Sequence, residues 1–166
     1  MELEDLKAKA AIEDALHSYC RGIDRCEPEA IKAAFHEDGE LVDYGSAERQ
    51  LAGPFAEYAA KKLHETYIAT QHRITNTKIE RSGDNALAET YILAFHVQET
   101  SDGKVLHTFN GRWLDTFERR NGDWRIAERV LRMDWSRRDP WNEDMAGNYI
   151  TGARDSSDVL YSLMPD

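Results

Sequence analysis

Phe117-Glu118-Arg119-Arg120-Asn121-Gly122-Asp123-Trp124-Arg125-Ile126 contains a tight turn between two β-forming flanks. Asn-Gly accepts the left-handed backbone that a two-residue hairpin needs, and the aromatic and β-branched flanks suit a pleated sheet. The same grammar recurs upstream. Thr70 to Arg81 is rich in β-formers and stops at Ser82-Gly83-Asp84-Asn85. Ala86 to Glu99 stops at Thr100-Ser101-Asp102-Gly103, and Val105 to Arg119 stops at Arg120-Asn121-Gly122-Asp123. Trp124 to Trp135 completes the set. Four long strands joined by three short turns predict an antiparallel meander.

The chain before the meander has helical periodicity. Between Leu6 and Ile23 the apolar positions Ile12, Ala15, Leu16, Tyr19, Cys20 and Ile23 recur at helical spacing. Asp24 falls at the edge of that buried face, four residues after Cys20. Gly22, so near the end, is expected to loosen the last turn. Glu27-Pro28 opens a second short helix running through Ala30, Ile31, Ala34 and Phe35, with Pro where a missing N–H costs nothing. His36-Glu37-Asp38-Gly39 breaks it. Glu40 to Tyr44 reads as a short strand and Arg49 to Ala52 as another. Gly53-Pro54 starts a third helix with a stripe of Phe55, Tyr58, Ala59, Leu63 and Tyr67. Helices first and a curled sheet second predict an α+β domain, with about three helices covering a curved antiparallel or mixed sheet.

Ala86 to Glu99 carries apolar side chains at both parities: Leu87, Tyr91, Leu93 and Phe95 on one, Ala88, Ile92 and Ala94 on the other. A half-solvated strand would alternate more cleanly, so the convex sheet face is expected to be covered too, by a second or third copy of the chain in a homodimer or homotrimer. The domain is expected to occupy residues 1–135. Residues 136–166 are polar and turn-rich, with Trp141, Tyr149, Tyr161 and Leu163 scattered among Asp, Arg and Gly. They read as an extension of the same domain, a lid or a subunit-contact arm.

Composition narrows the function. A chain of 166 residues is one domain, able to bury roughly 70% of its unfolded surface without a metal or disulfide staple. A formal net charge of −10 argues against nucleic acid and against an anionic membrane surface, both of which reward cations. No apolar run approaches the ~20 residues of a membrane span. The acidic start Met1-Glu2-Leu3-Glu4-Asp5 lacks a signal-peptide pattern, and Cys20 and Cys26 have no metal-site spacing beside them, so a cytoplasmic protein with reduced thiols is expected. There is no Gly-rich phosphate loop, nucleophile elbow, metalloprotease helix or dinucleotide fingerprint. Acid–base chemistry without cofactor or metal is what the motifs leave.

His72 is the candidate base. It lies early in the first long strand, on a face shared with Thr70, Ile74 and Asn76, and a neutral imidazole in a pocket can take a proton near pH 7. A carboxylate on its other nitrogen would fix the tautomer and stabilise the imidazolium, and Asp24 is the best placed. The plain alternative is a satisfied strand histidine and a solvated helix-end aspartate. Tyr19, on the buried helical face, is either core or a hydrogen-bond donor, and His96 is either a rim histidine or a second catalytic imidazole. Arg129 and Arg132 interrupt an otherwise apolar last strand at opposite parities, so without a bulge between them only one faces the interior. An inward arginine offers a fixed cation to a leaving group or oxyanion.

The order helix–helix–strand–helix–four strands resembles the cone-shaped barrel of the nuclear transport factor 2-like superfamily, in particular its SnoaL-like branch. The residues that carry the likeness are Ala11-Ile12-Glu13-Asp14, Tyr19 to Asp24, Phe35 to Gly39, His72 and Phe117 to Ile126, and it spans residues 5–135. Members of that branch include scytalone and bile-acid dehydratases and hexachlorocyclohexane dehydrochlorinases, which use a His–Asp dyad in an apolar pocket to remove a proton and expel water or halide. The resemblance implies His72 as base, Asp24 as its orienting partner and Tyr19 as a hydrogen-bonding residue. It also implies His96 as a second histidine and Arg129 or Arg132 beside the leaving group. Thr70 departs from the dehydrochlorinases, where a cysteine is expected. The implied activity is a dehydratase-like lyase acting on a cyclic or polycyclic apolar molecule. Isomerisation or cyclisation of a steroid- or polyketide-like substrate, or binding without catalysis, is the alternative.

Overall fold

The computed structural model describes residues 2–45, 47–141 and 150–164. Helix α1 (Leu3–Arg25) is followed by α2 (Pro28–Ala33), strands β1 (Phe35–Tyr44) and β2 (Ala47–Leu51), and helix α3 (Ala52–Thr66). Four long strands come next: β3 (Ala69–Ser82), β4 (Asn85–Thr100), β5 (Gly103–Arg120) and β6 (Asp123–Pro140). A one-turn helix, α4 (Leu160–Leu163), lies near the end. The strands form one six-stranded sheet in the order β2-β1-β6-β5-β4-β3. All neighbours are antiparallel except β1 and β6, which run parallel, so the sheet is mixed. The fold is the expected α+β cone, a curved open sheet with helices on one face.

The three meander turns fall where Gly and Asn predict them. Asn121 and Gly122 both take positive φ, 55° and 96°, as the Asn-Gly hairpin requires. The core lies between the helices and the inner sheet face. Ala8, Ile12, Leu16, Tyr19, Cys20 and Ile23 of α1 meet Ala86, Ala88 and Ile92 of β4, Trp113 and Phe117 of β5, and Ile126 of β6. Three inward positions on β4 are alanine, Ala86, Ala88 and Ala94, which leaves room for the helix to lie close. Both cysteine thiols are free. Among the described residues no helix is long and apolar enough to cross a membrane, and no cluster of His, Cys, Asp or Glu could hold a metal ion.

Three local expectations change. The second helix ends at Ala33, and Phe35 to Gly39 already belongs to β1, because Phe35 pairs with Ile126 on the central strand. Gly22 does not loosen α1. A Cβ there would lie 2.8 Å from the Ile31 nitrogen and 3.0 Å from Ala30 Cβ, so glycine lets α2 cross against α1. The last strand does not stop at Trp135. It continues to Pro140, paired with Val105, so the boundary after residue 135 falls inside β6. Tyr149 lies outside the described residues.

Candidate active site

Asp24 sits in the last turn of α1, where the helix crosses the start of the edge strand β3. Its Oδ1 accepts a hydrogen bond from His72 Nδ1 at 2.7 Å, and its Oδ2 accepts the backbone N–H of His72, also at 2.7 Å. One carboxylate therefore fixes both the ring and the strand that carries it. Both side chains are mostly withdrawn from solvent, at 19% exposure for Asp24 and 11% for His72. A carboxylate only accepts, so His72 carries a proton on Nδ1, and the lone pair of the neutral ring is on Nε2.

That lone pair meets a second imidazole. His96 Nε2 lies 3.4 Å from His72 Nε2 and can only be the donor of the two. Its own Nδ1 is buried without a partner. Burial, reinforced by His72, pushes the His96 pKa from 6.5 down to about 3, so the ring is neutral. Tyr67 and Phe109 flank it, with ring centroids at 4.7 and 5.1 Å. His107, opposite His96 across β4 and β5, donates from Nε2 to Gln98 Oε1 at 3.1 Å. Thr70, also opposite His96, has a buried hydroxyl without a partner. Outside the dyad a cleft of about 390 Å³ is lined by Asp24, Thr70, Gln71, Gly152, Ala153 and Arg154.

Arg129 faces inward and Arg132 outward, as opposite parity demands. A bulge between Thr116 and Phe117 on the β5–β6 ladder sets which one turns in. Arg129 is completely buried and forms a bidentate pair with Asp115, directly opposite on β5, at 2.8 and 2.7 Å. Its guanidinium carbon sits 3.9 Å from the centroid of Trp113 and 4.2 Å from that of Tyr19. Burial works against the cation, but Asp115, with Tyr19 and Tyr44 nearby, raises its pKa overall and keeps it charged. Nη1 of Arg129 and Nε1 of Trp113 are buried donors without partners. Arg132 pairs with Asp43 at 3.0 Å, half-exposed, and takes no part in this interior.

Tyr19 belongs to the Arg129 group. Its hydroxyl lies 3.4 Å from that of Tyr44, and its ring packs edge-on against Trp113 and Phe35. Burial, then Tyr44, holds its pKa well above the ordinary tyrosine range, so it is a neutral phenol. The predicted residues thus fall into a His72–Asp24–His96 chain at the β3 edge and a Tyr19–Arg129 cluster at the centre, with Thr70 beside the first.

Four participants were not singled out from sequence. Asp115 stood among the buried aromatics Trp113 and Phe117, at their parity, and that was a usable signal. Tyr44, Tyr67 and Arg154 had none. Arg154 reaches back from the C-terminal segment to the Asp24 carbonyl at 3.0 Å.

A family model for the SnoaL-like domain matches residues 4–130. No curated protein is significantly similar to the chain. Among solved structures, a candidate scytalone dehydratase of Novosphingobium aromaticivorans superposes with a TM-score of 0.70 at 22% identity, covering 80% of this chain and 88% of that one. A type 2 hexachlorocyclohexane dehydrochlorinase superposes at 0.77 with 18% identity, covering 90% and 100%. The type 3 enzyme of Novosphingobium barchaimii gives 0.72 and 18%, covering 91% and 99%. At these identities the likeness is one of fold. The matched family model and the cone fold together place the chain in the SnoaL-like family of the nuclear transport factor 2-like superfamily.

Proposed function

We propose that the protein is a cofactor-free lyase of the dehydratase type, with His72 as general base. The observation that carries this is the doubly anchored Asp24–His72 pair. The carboxylate holds the Nδ1–H tautomer and the strand backbone together, leaving Nε2 as a positioned lone pair. His72 Nε2 takes an acidic C–H proton, the C–H electrons form the new double bond, and the C–O bond to the leaving hydroxyl breaks. The proton then passes from His72 to the departing oxygen, which leaves as water. Asp24 stabilises the transient imidazolium. Substrate entry replaces the 3.4 Å His96–His72 contact, so that the His72 lone pair meets the C–H and the one N–H of neutral His96 donates to the oxygen. The rings of Tyr67 and Phe109 beside His96 offer the apolar contacts that a cyclic or polycyclic apolar substrate would use. If the proton returns to carbon instead, the same machinery isomerises.

A non-catalytic ligand-binding or assembly domain is the second reading. It draws on the centre of the cone, where Tyr19, Trp113 and Arg129 are fully buried against one another. A bicyclic β-hydroxy ketone in D₂O separates the two. An enzyme exchanges the acidic C–H and releases water, both visible by NMR, whereas a binding domain leaves the probe intact. His72→Ala and Asp24→Asn are each expected to lower turnover about 10²–10⁴-fold. Near-wild-type turnover in both variants would remove the dyad from the mechanism.

A further inference from the structure

The SnoaL-like match ends at residue 130, but residues 150–164 come back to the helical side of the same chain. Arg154 is the centre of that return. Its Nε donates to the carbonyl of Asp24 at 3.0 Å, and its Nη1 to the carbonyls of Tyr67 at 2.8 Å and Leu63 at 3.3 Å. Nη2 points at Cys26 Sγ at 2.7 Å. The Asp24 carbonyl is among the last four of α1, and the Leu63 and Tyr67 carbonyls close α3. The Leu63 carbonyl already accepts the Tyr67 N–H at 3.1 Å, but helix ends leave acceptors such as those of Asp24 and Tyr67 unsatisfied, and a cation is favoured there by the helix dipole. A guanidinium, with five donors in a rigid fork, can bridge two helix ends, whereas a single ammonium is a point charge.

The bridged backbones are those of the candidate site. Asp24 holds His72, His72 meets His96, and the ring of Tyr67 flanks His96. One side chain therefore ties down both ends of the chain Asp24–His72–His96–Tyr67 without touching any of the four side chains by hydrogen bond. The segment carrying it is itself anchored. Arg25 pairs with Asp158 at 2.7 Å and donates to the Ala153 carbonyl at 2.5 Å. Asp158 in turn accepts the backbone N–H groups of Ala153 and Leu160, and Tyr161 donates to Glu27. Asp158 is nearly buried by these partners.

We propose that Arg154 is a positioning residue for the Asp24–His72 pair, acting through the Asp24 backbone, and that residues 150–164 are a strap required for an ordered site. This rests on the catalytic role of the dyad for its kinetic consequence but not for its structural one, so the two are measured separately. With histidine labelled with ¹⁵N, the His72 Nδ1–H bonded to Asp24 is expected to give a far-downfield, slowly exchanging proton resonance in the intact chain. Arg154→Ala is expected to broaden or remove it, and to lower kcat on the bicyclic ketone about 10- to 100-fold with KM changed less than threefold, as for a base displaced from its working geometry. Arg154→Lys, which keeps the charge but not the fork, is expected to recover the melting temperature and not the resonance. It carries the comparison if the alanine variant does not fold. An unchanged resonance in both variants overturns the proposal. A lost resonance in Arg154→Ala, together with full turnover in His72→Ala, upholds the positioning role and overturns the catalytic reading instead.

Discussion

The Arg129–Asp115 pair tests how a charged residue is tolerated at the centre of a small domain. Both side chains are fully buried, and each is satisfied chiefly by the other. Removing one partner strands the other charge where desolvation is costly. Asp115→Asn is therefore expected to destabilise the fold by about 3–5 kcal/mol in urea titrations, far more than an exposed pair such as Lys7–Glu4 would. His96 gives a second measurable consequence. Its ring is held neutral with a pKa of about 3, against 6.5 when exposed. Between those values the unfolded chain binds a proton that the folded chain refuses. Its contribution is therefore fully present above pH 6.5 and is lost as pH falls toward 3, at up to about 1.4 kcal/mol per pH unit. Replacing His96 by Phe is expected to flatten that part of the stability–pH curve. An equally steep curve would mean another group is responsible.

At the level of elements, the meeting of α1 and α2 decides where Asp24 points. Gly22 is helical, and alanine would gain about 1 kcal/mol of propensity there. Against this, its Cβ would press on the Ile31 main chain and Ala30, which cannot rotate away. Overpacking of this kind costs about 1–3 kcal/mol, so the clash wins and Gly22→Ala is expected to lower Tm. It is also expected to weaken the Asp24–His72 resonance, since α2 would push the end of α1 off β3. The alanine stripe of β4 works in the same direction from the opposite side. Ala86 and Ala88 are small enough for α1 to settle against the inner sheet face, and larger residues there would lift the helix and break the 2.7 Å contacts.

For the whole molecule, the outer face of the sheet bears on assembly. Leu87, Tyr91 and Trp135 stand out from it with 43–54% of their surface exposed, while the inner face is packed. Arg73 and Arg112 lie over Phe95 and Tyr91 as partial cover. Exposed large apolar side chains on one sheet face mark a candidate interaction surface. We propose that a second or third copy covers it. Light scattering after size exclusion is expected to give a dimer or trimer at micromolar concentration, and Leu87→Lys with Trp135→Lys to give a monomer. A monomeric wild type at that concentration rules the assembly out.

The starts of the four meander strands and their turns are legible in the sequence, because alternation of apolar side chains and the positive φ tolerated by Asn-Gly are local properties of backbone and solvent. The α+β architecture follows from their order, and β3 to β6 begin within two residues of expectation. His72 and Asp24 could be nominated as a base and a carboxylate, but their 2.7 Å contact depends on how α1 docks across β3, which is a sum over many packed residues. The choice between Arg129 and Arg132 rested on a ladder bulge, a shift in pairing that involves two strands at once. Arg154 was illegible for a different reason. It binds main-chain carbonyls, which every residue possesses, so nothing at Asp24, Leu63 or Tyr67 announces the contact. Local chemistry therefore settled the elements and the inventory of reactive groups, while only long-range packing decided which of them share a site.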